Sequence, residues 1–315
     1  MLEFTRTAMP GRVVFGAGAA RSALAGEVAA LRVSRVLLVT TRRGEPLARS
    51  LAERLPVVDV FTDVREHVPA EIACAALDVA TRSHVDCLLS VGGGASVGTA
   101  KAVALSMRVP IVAVPTTYSG SEMTPVWGRT EGGEKHTGRS MDALPRLVVY
   151  DPDLTVGLPP AITAASGMNA LAHAVRAHAA DPVTALVGHE AVRVLSAGLP
   201  KAVAEQDRTE ALYGAYLAAS AFAVVGSGPH HKLCHALGGA YGLPHAPTHA
   251  VLLPYTAART GGVDADGLRG LAERIGAPTS LREIGLNAED LDDAVRRTPD
   301  AAALLTAAYE GRWPA

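Results

Sequence analysis

The pattern of apolar and polar positions changes character about halfway along the chain. In the first half, short β-branched runs (Arg35 to Thr40, Val57 to Phe61, Cys87 to Val91, Ile111 to Val114 and Leu147 to Tyr150) alternate with Ala-rich stretches of helical periodicity. Those stretches are Glu45 to Arg54, Ala70 to His84 and Ser96 to Met107. Strand, helix and strand repeated in this way predict an α/β domain with a mostly parallel sheet covered on both faces, whose ligands bind beyond the carboxyl ends of the strands. The turn-rich stretch Thr130 to Arg139 reads as a hairpin excursion from that sheet. After Pro159 and Pro160 the β-branched runs nearly vanish. Helical patterns over Thr163 to Ala180, Val183 to Ala204, Glu210 to Val225 and Leu268 to Ile275 predict an all-α second half, with the boundary between residues 155 and 156.

One helical stretch resembles a membrane span: Ala211 to Gly228 carries no charge over 18 residues. Its Ala, Gly and Ser content makes it only weakly apolar, and no basic cluster marks one end, so it predicts a buried core helix. The composition agrees with an ordinary globular protein: 315 residues, 49% hydrophobic and 19% charged. The 29 basic and 31 acidic residues nearly cancel, which argues against nucleic acid or an anionic membrane as a partner. Cys74, Cys87 and Cys234 are too scattered for a disulfide framework and read as reduced cytoplasmic thiols. The N-terminus has an acid at Glu3 and no long apolar core, unlike a secretion signal.

Two glycine-bearing turns compete for a nucleotide. Phe15-Gly16-Ala17-Gly18-Ala19 has no third glycine in register and no acid about 20 positions on, so it predicts a structural turn into a helix near Ala20. In Ser90 to Lys101 a buried strand runs into Gly92, Gly93 and Gly94, then Ala95, Ser96 and a helix. Bare backbone N–H groups and a helix N-terminus then face a pyrophosphate. Residues 1–155 are accordingly expected to bind a dinucleotide, and 156–315 to carry substrate and catalysis. The strand after the glycines ends in Thr116, Thr117, Tyr118, Ser119, Ser121 and Thr124, whose hydroxyls suit phosphate or a carboxamide; an ordinary Ser/Thr-rich loop has the same composition.

The chemistry concentrates in the second half. Five of the 11 histidines fall between residues 230 and 249, where even scattering puts about one. His231 and His235 share a helix face, His245 follows the turn Gly242-Leu243-Pro244, and upstream Asn169 and His173 share a face of another helix. Such faces meeting would make a polar pocket of imidazoles.

In their order, Gly92 to Ser96, Pro115-Thr116-Thr117, Gly167-Met168-Asn169-Ala170-Leu171-Ala172-His173 and His231 through His245 resemble the iron-containing alcohol dehydrogenase superfamily, whose fold is shared with dehydroquinate synthase-like proteins. Three stretches resemble its maleylacetate reductases: Tyr118 to Gly128, His230 to Gly239 and Leu243 to Ala250. The resemblance implies a nucleotide-binding α/β domain, a helical domain, a cleft between them and a cytoplasmic homodimer. It also implies NAD(P)H-dependent reduction of the conjugated double bond of maleylacetate, a small dicarboxylate, to 3-oxoadipate in the breakdown of aromatic compounds.

The residues assigned on this basis are His173, His231, His235 and His245 for catalysis, and Gly92, Gly93, Gly94, Ala95, Ser96, Thr116, Thr117, Ser119, Thr40 and Thr41 for NADH. Tyr118, Thr124, Asn169 and Lys232 are assigned to the substrate. NADPH is a second possibility, because Arg42 and Arg43 can receive a 2′-phosphate, unless they are plain surface charges. Metal-dependent members hold their ion with three histidines, matched by His173, His231 and His245, and an aspartate whose position is Asn169 here. A neutral amide is a weaker donor than a carboxylate, so no catalytic metal is expected. Gly98 likewise stands where dehydrogenase members often carry an aspartate, and the chain reads as shorter than its relatives after Pro254. Two alternatives stay open: a metal-dependent alcohol dehydrogenase of the same superfamily, and a non-catalytic histidine-rich binding protein.

Overall fold

The computed structural model describes residues 3–132, 134–204 and 207–313. It separates into two compact units, Arg6–Gly157 and a second beginning at Leu158 that also takes in Thr5.

The first unit runs in the order β1 (Arg12–Phe15), α1 (Ala19–Ser22), α2 (Leu24–Ala30), β2 (Val36–Val39), α3 (Glu45–Ala52), β3 (Val57–Phe61), α4 (Ala70–Arg82), β4 (Cys87–Gly92), α5 (Gly94–Met107), β5 (Ile111–Pro115), β6 (Val126–Glu131), β7 (Glu134–Arg139) and β8 (Leu147–Tyr150). Six strands form one parallel sheet in the order β1-β8-β5-β4-β2-β3. The five β-branched runs of the sequence are five of its strands; β1, only four residues long and at the edge, is the one the pattern did not single out.

Alternation along the strands sorts the core into two layers. Val36, Leu38, Leu89 and Val112 pack with Leu24, Val28 and Leu51 of α2 and α3. Leu37, Val39, Leu88 and Ile111 pack with Ile72, Ala76, Val103 and Ala104 of α4 and α5. From β2 the chain moves outward to β3, whereas from β4 it moves the other way to β5, so the switch point lies between the carboxyl ends of β2 and β4. The antiparallel pair β6-β7 is the expected hairpin excursion; Gly133 within it lies outside the described residues.

The second unit contains α6 (Pro160–Ala177), α7 (Pro182–Ala204), α8 (Thr209–Val225), α9 (Pro229–Tyr241), α10 (His245–Thr260), α11 (Ala265–Arg274), α12 (Ala288–Arg297) and α13 (Ala302–Glu310). Small residues bring α7 and α8 close together: a Cβ on Gly198 would lie 2.7 Å from the backbone nitrogen of Ala211, and one on Gly214 2.7 Å from Leu195. The tail after α10 adds its own core, with Leu304, Leu305 and Tyr309 packed near Leu252 and Tyr255. Among the described residues no single helix is long and apolar enough to cross a membrane. α8 and α9 pass such a test only together, across a 97° bend.

Candidate active site

The two glycine turns differ in what meets the helix that follows. At Gly18, whose φ of 72° suits glycine, the Asp151 carboxylate accepts from the backbone N–H groups of Gly18 and Ala20, both at 3.0 Å. That helix start is filled from within, which makes it structural. α5 has no side-chain cap and no acidic residue in its first turn. Gly92 has φ 149°, and a Cβ there would collide with Ser96; a Cβ on Gly93 would lie 3.1 Å from Thr117, and one on Gly94 3.3 Å from Ser119. These contacts require bare backbone ahead of Ala95 and leave the N–H groups at the switch point, which fits a pyrophosphate.

Thr40, at the end of β2, and Ser96, in the first turn of α5, are buried with hydroxyls that have no hydrogen-bond partner among the described residues. Thr41 Oγ1 instead accepts from the Gly44 N–H at 3.1 Å, and Thr116 donates its N–H to Gly92 O at 3.0 Å. Arg42 and Arg43 are exposed, and Arg42 sits 3.8 Å from Asp63, a carboxylate brought beside Thr41 from the end of β3. At position 98 a Cβ would lie 2.8 Å from Val68, so glycine is required by packing.

The loop from Thr116 to Thr124 is held by two buried ionisable side chains that sequence reasoning missed. Lys101 Nζ donates to the carbonyls of Ser121 (2.7 Å), Thr124 (2.8 Å) and Val126 (2.6 Å) and reaches Thr124 Oγ1 at 3.2 Å. Glu122 accepts from Tyr150 Oη at 2.7 Å and from Ser119 Oγ at 3.1 Å. Burial pushes Lys101 down to about 7 and Glu122 up, and their mutual attraction opposes both shifts. Thr124 Oγ1 also donates to Ser121 O, which leaves it no proton for a substrate carboxylate. Tyr118 is fully buried, with a hydroxyl that has no partner among the described residues.

In the second unit the histidines converge. Asn169 and His173 lie on α6, His230, His231 and His235 on α9, and His245 and His249 on α10. The His173 ring stacks on Phe222 (4.3 Å between centroids) and on His231 (5.1 Å). His231 stands 4.7 Å from His249, His249 4.5 Å from His245, and His245 5.6 Å from His235. All four proposed catalytic histidines therefore lie in one cluster, together with His230 and His249. His249 was legible as the i+4 neighbour of His245. Lys232 is exposed and joins none of these ring contacts, because the residue next to His231 turns about 100° away around the helix.

Burial, and secondarily the neighbouring rings, keeps His173, His230, His231 and His249 neutral. His173 is pushed down to about 4 and His230 to about 3, while His231 and His249 lie well below the usual histidine value. Asn169 Oδ1, His173 Nδ1, both ring nitrogens of His231 and His249 Nε2 are buried without a partner among the described residues. Each such group costs roughly 1–3 kcal/mol. Neutral imidazoles with unused lone pairs are what a borderline dication requires, so these residues fit one. Two groups bring donor atoms within 4.8 Å of one another: His235, His245 and His249; and His230, Cys234 and His249.

Residues 10–152 match the family model for iron-containing alcohol dehydrogenase, and residues 163–263 match its C-terminal counterpart. The chain is 42% identical to a maleylacetate reductase of a Rhizobium species, over 93% of this chain and 90% of that protein. It is 43% identical to one from Burkholderia cepacia, over 89% and 87%. It superposes on the crystal structure of maleylacetate reductase from Agrobacterium tumefaciens with a TM-score of 0.92 at 38% identity, covering all of both chains. The expected absence of a metal is corrected by these findings. That expectation weighed only the exchange of a carboxylate for Asn169, whereas His230, Cys234, His235, His245 and His249 form ligand groups without it, and the matching family is iron-containing. The chain belongs to the iron-containing alcohol dehydrogenase family.

Proposed function

We propose that this protein is a maleylacetate reductase, which adds a hydride and a proton across the conjugated double bond of maleylacetate to give 3-oxoadipate, with NADH or NADPH oxidised to NAD+ or NADP+, in the degradation of aromatic compounds. The observation that carries the reading is the buried cluster of neutral imidazoles with unpartnered ring nitrogens, in a chain about 40% identical to curated maleylacetate reductases over some nine-tenths of its length. When bound, the reduced nicotinamide would supply the hydride, and a dication held within the histidine cluster would supply Lewis acidity for the ketone oxygen.

The chain's own residues have four tasks. The N–H groups of Gly93, Gly94 and Ala95 receive the pyrophosphate, with the hydroxyls of Thr40, Ser96 and Thr117 around it. Ser119 is aimed by Glu122, and Tyr118 offers its hydroxyl to a substrate carboxylate. His173 and His231 can present ring N–H groups to the substrate oxygen where charge develops, and the Asn169 amide oxygen can accept from a protonated group of the substrate. His235 and His245, half-buried at the edge of the cluster, are the members placed to exchange a proton with solvent and pass it to the substrate carbon. A homodimer and a cytoplasmic location complete the reading, supported by the resemblance to the family and by three free cysteines.

The test is NADH consumption with maleylacetate, with and without a chelator, beside His173→Ala and His245→Ala. The expected result is a loss of turnover of about 100-fold or more in each variant. Unchanged turnover in both would overturn the site.

A further inference from the structure

A dicarboxylate brings two negative charges, and the buried rings of the helical unit do not balance them. His173, His230, His231 and His249 are held neutral by burial, and Lys232 is exposed and turned away from them. The counter-charge has to come from another side chain.

Asn169, His173 and Arg176 stand at i, i+4 and i+7 of α6, so Arg176 leaves the helix on the face that carries the two site residues, about one turn beyond His173. There α6 meets the start of α9: the His173 ring stacks on His231, and a Cβ on Gly228 would lie 2.6 Å from both Cδ and Nε of Arg176. Gly228 has φ −110°, which any residue adopts, so the passing arginine and not the backbone keeps that position bare.

Gly228 is also the N-cap of α9, a helix that begins with no side-chain cap and no acidic residue in its first turn. The Lys232 N–H bonds to Gly228 O at 3.0 Å, which leaves the N–H groups of His230 and His231 without an intrahelical partner. His231 is buried with both ring nitrogens unpartnered among the described residues. Arg176 Nε is likewise buried without a partner, and no carboxylate pairs with this guanidinium among the described residues. A guanidinium and the positive end of a helix repel each other unless an anion lies between them. A cation in the last turn of α6 does suit that helix's negative end, but such a role needs neither a buried Nε nor a bare Gly228.

We propose that Arg176 and the first-turn N–H groups of α9 form a carboxylate-binding subsite that anchors one end of the substrate, the task that the sequence alone suggested for Lys232. The identity of the dicarboxylate rests on the reductase reading; the subsite is tested without it.

The experiment measures binding of adipate, a stable six-carbon dicarboxylate, to the full chain with NAD+ by calorimetry, beside its uncharged diamide. Arg176→Met should weaken adipate binding about 10- to 100-fold, with diamide binding and the circular dichroism spectrum unchanged. Arg176→Lys keeps the charge but not the fork and should fall between the two, and Gly228→Ala, which displaces the arginine side chain, should also weaken adipate. In turnover, Arg176→Met should raise the KM for maleylacetate by a similar factor and lower kcat less, as loss of an anchor felt equally in ground and transition states does. Adipate binding no tighter in the wild type than in Arg176→Met, absence of binding in both included, overturns the subsite. If Arg176→Met does not fold, wild-type affinity in both Arg176→Lys and Gly228→Ala overturns it instead. A wild-type chain that binds adipate through Arg176 yet oxidises no NADH with maleylacetate supports the subsite and refutes the reductase reading, so the two failures are separate.

Discussion

The loop held by Lys101 and Glu122 and the histidine cluster both bury polar side chains deeply, but they treat them in opposite ways. In the sheet unit Lys101 reaches four acceptors and Glu122 accepts from two hydroxyls. In the helical unit Asn169, His173, His231 and His249 keep atoms without partners among the described residues. A satisfied buried polar group is architecture: Lys101 and Glu122 tie the hydroxyl loop to α5 and β8. Buried groups left unsatisfied cost stability, and a fold carrying several of them in one place has been shaped by what binds there.

Exchanging polar for apolar side chains in the two places breaks this comparison most directly. Lys101→Met removes a buried amino group and leaves three carbonyls without their donor, and is expected to lose roughly 3–5 kcal/mol in denaturant unfolding. His173→Phe, next to Phe222, should hold or gain about 1 kcal/mol by removing an unpaired atom while turnover collapses. If Lys101→Met unfolds no more easily than the wild type, the distinction between the two regions is wrong.

Acid acts on the same contrast from the helical side. Burial first, then His235, holds His173 at about 4, whereas in the unfolded chain it titrates near 6.5. Between those values the unfolded state binds the extra proton, so the stability His173 contributes is present above about pH 6.5 and is lost as the pH falls towards 4. The loss is roughly 3 kcal/mol across the window. The denaturation midpoint measured from pH 7 to 4 should fall accordingly and flatten in His173→Phe. A midpoint that does not move would mean that the rings are not held neutral.

What the sequence displays and what it hides follows the same division. Leu147–Tyr150 coincides with its β-branched run because a strand buried on both faces needs a continuous apolar stretch. Strand order, and with it the switch point beside Thr40 and Gly92, depends on pairing between distant segments and leaves no local trace. The histidine cluster was visible as a density of one residue type. The hydrogen-bond partners of His230 and His249 were not, because they depend on which ring nitrogen faces which neighbour once α9 packs on α10. Thr124 reads as an open hydroxyl until Lys101, 23 residues away, is seen to occupy it.

The smallest expected effects come from the two glycine turns, which repeat the comparison within the sheet unit. At the first, Asp151 satisfies the helix start from inside; at the second, no side chain caps α5. Asp151→Ala should therefore cost about 1 kcal/mol of stability, as loss of a cap does, and leave the KM for NADH alone. Gly16→Ala should alter neither, since a Cβ there meets nothing within 4 Å. Gly93→Ala places a methyl 3.1 Å from Thr117 in the backbone cradle, so either Thr117 or the phosphates must give way. A shift of about 1.4 kcal/mol in binding corresponds to a tenfold rise in the KM for NADH, with kcat less affected. Equal effects from Gly16→Ala and Gly93→Ala would mean that the open helix start is not where the cofactor's charge is met.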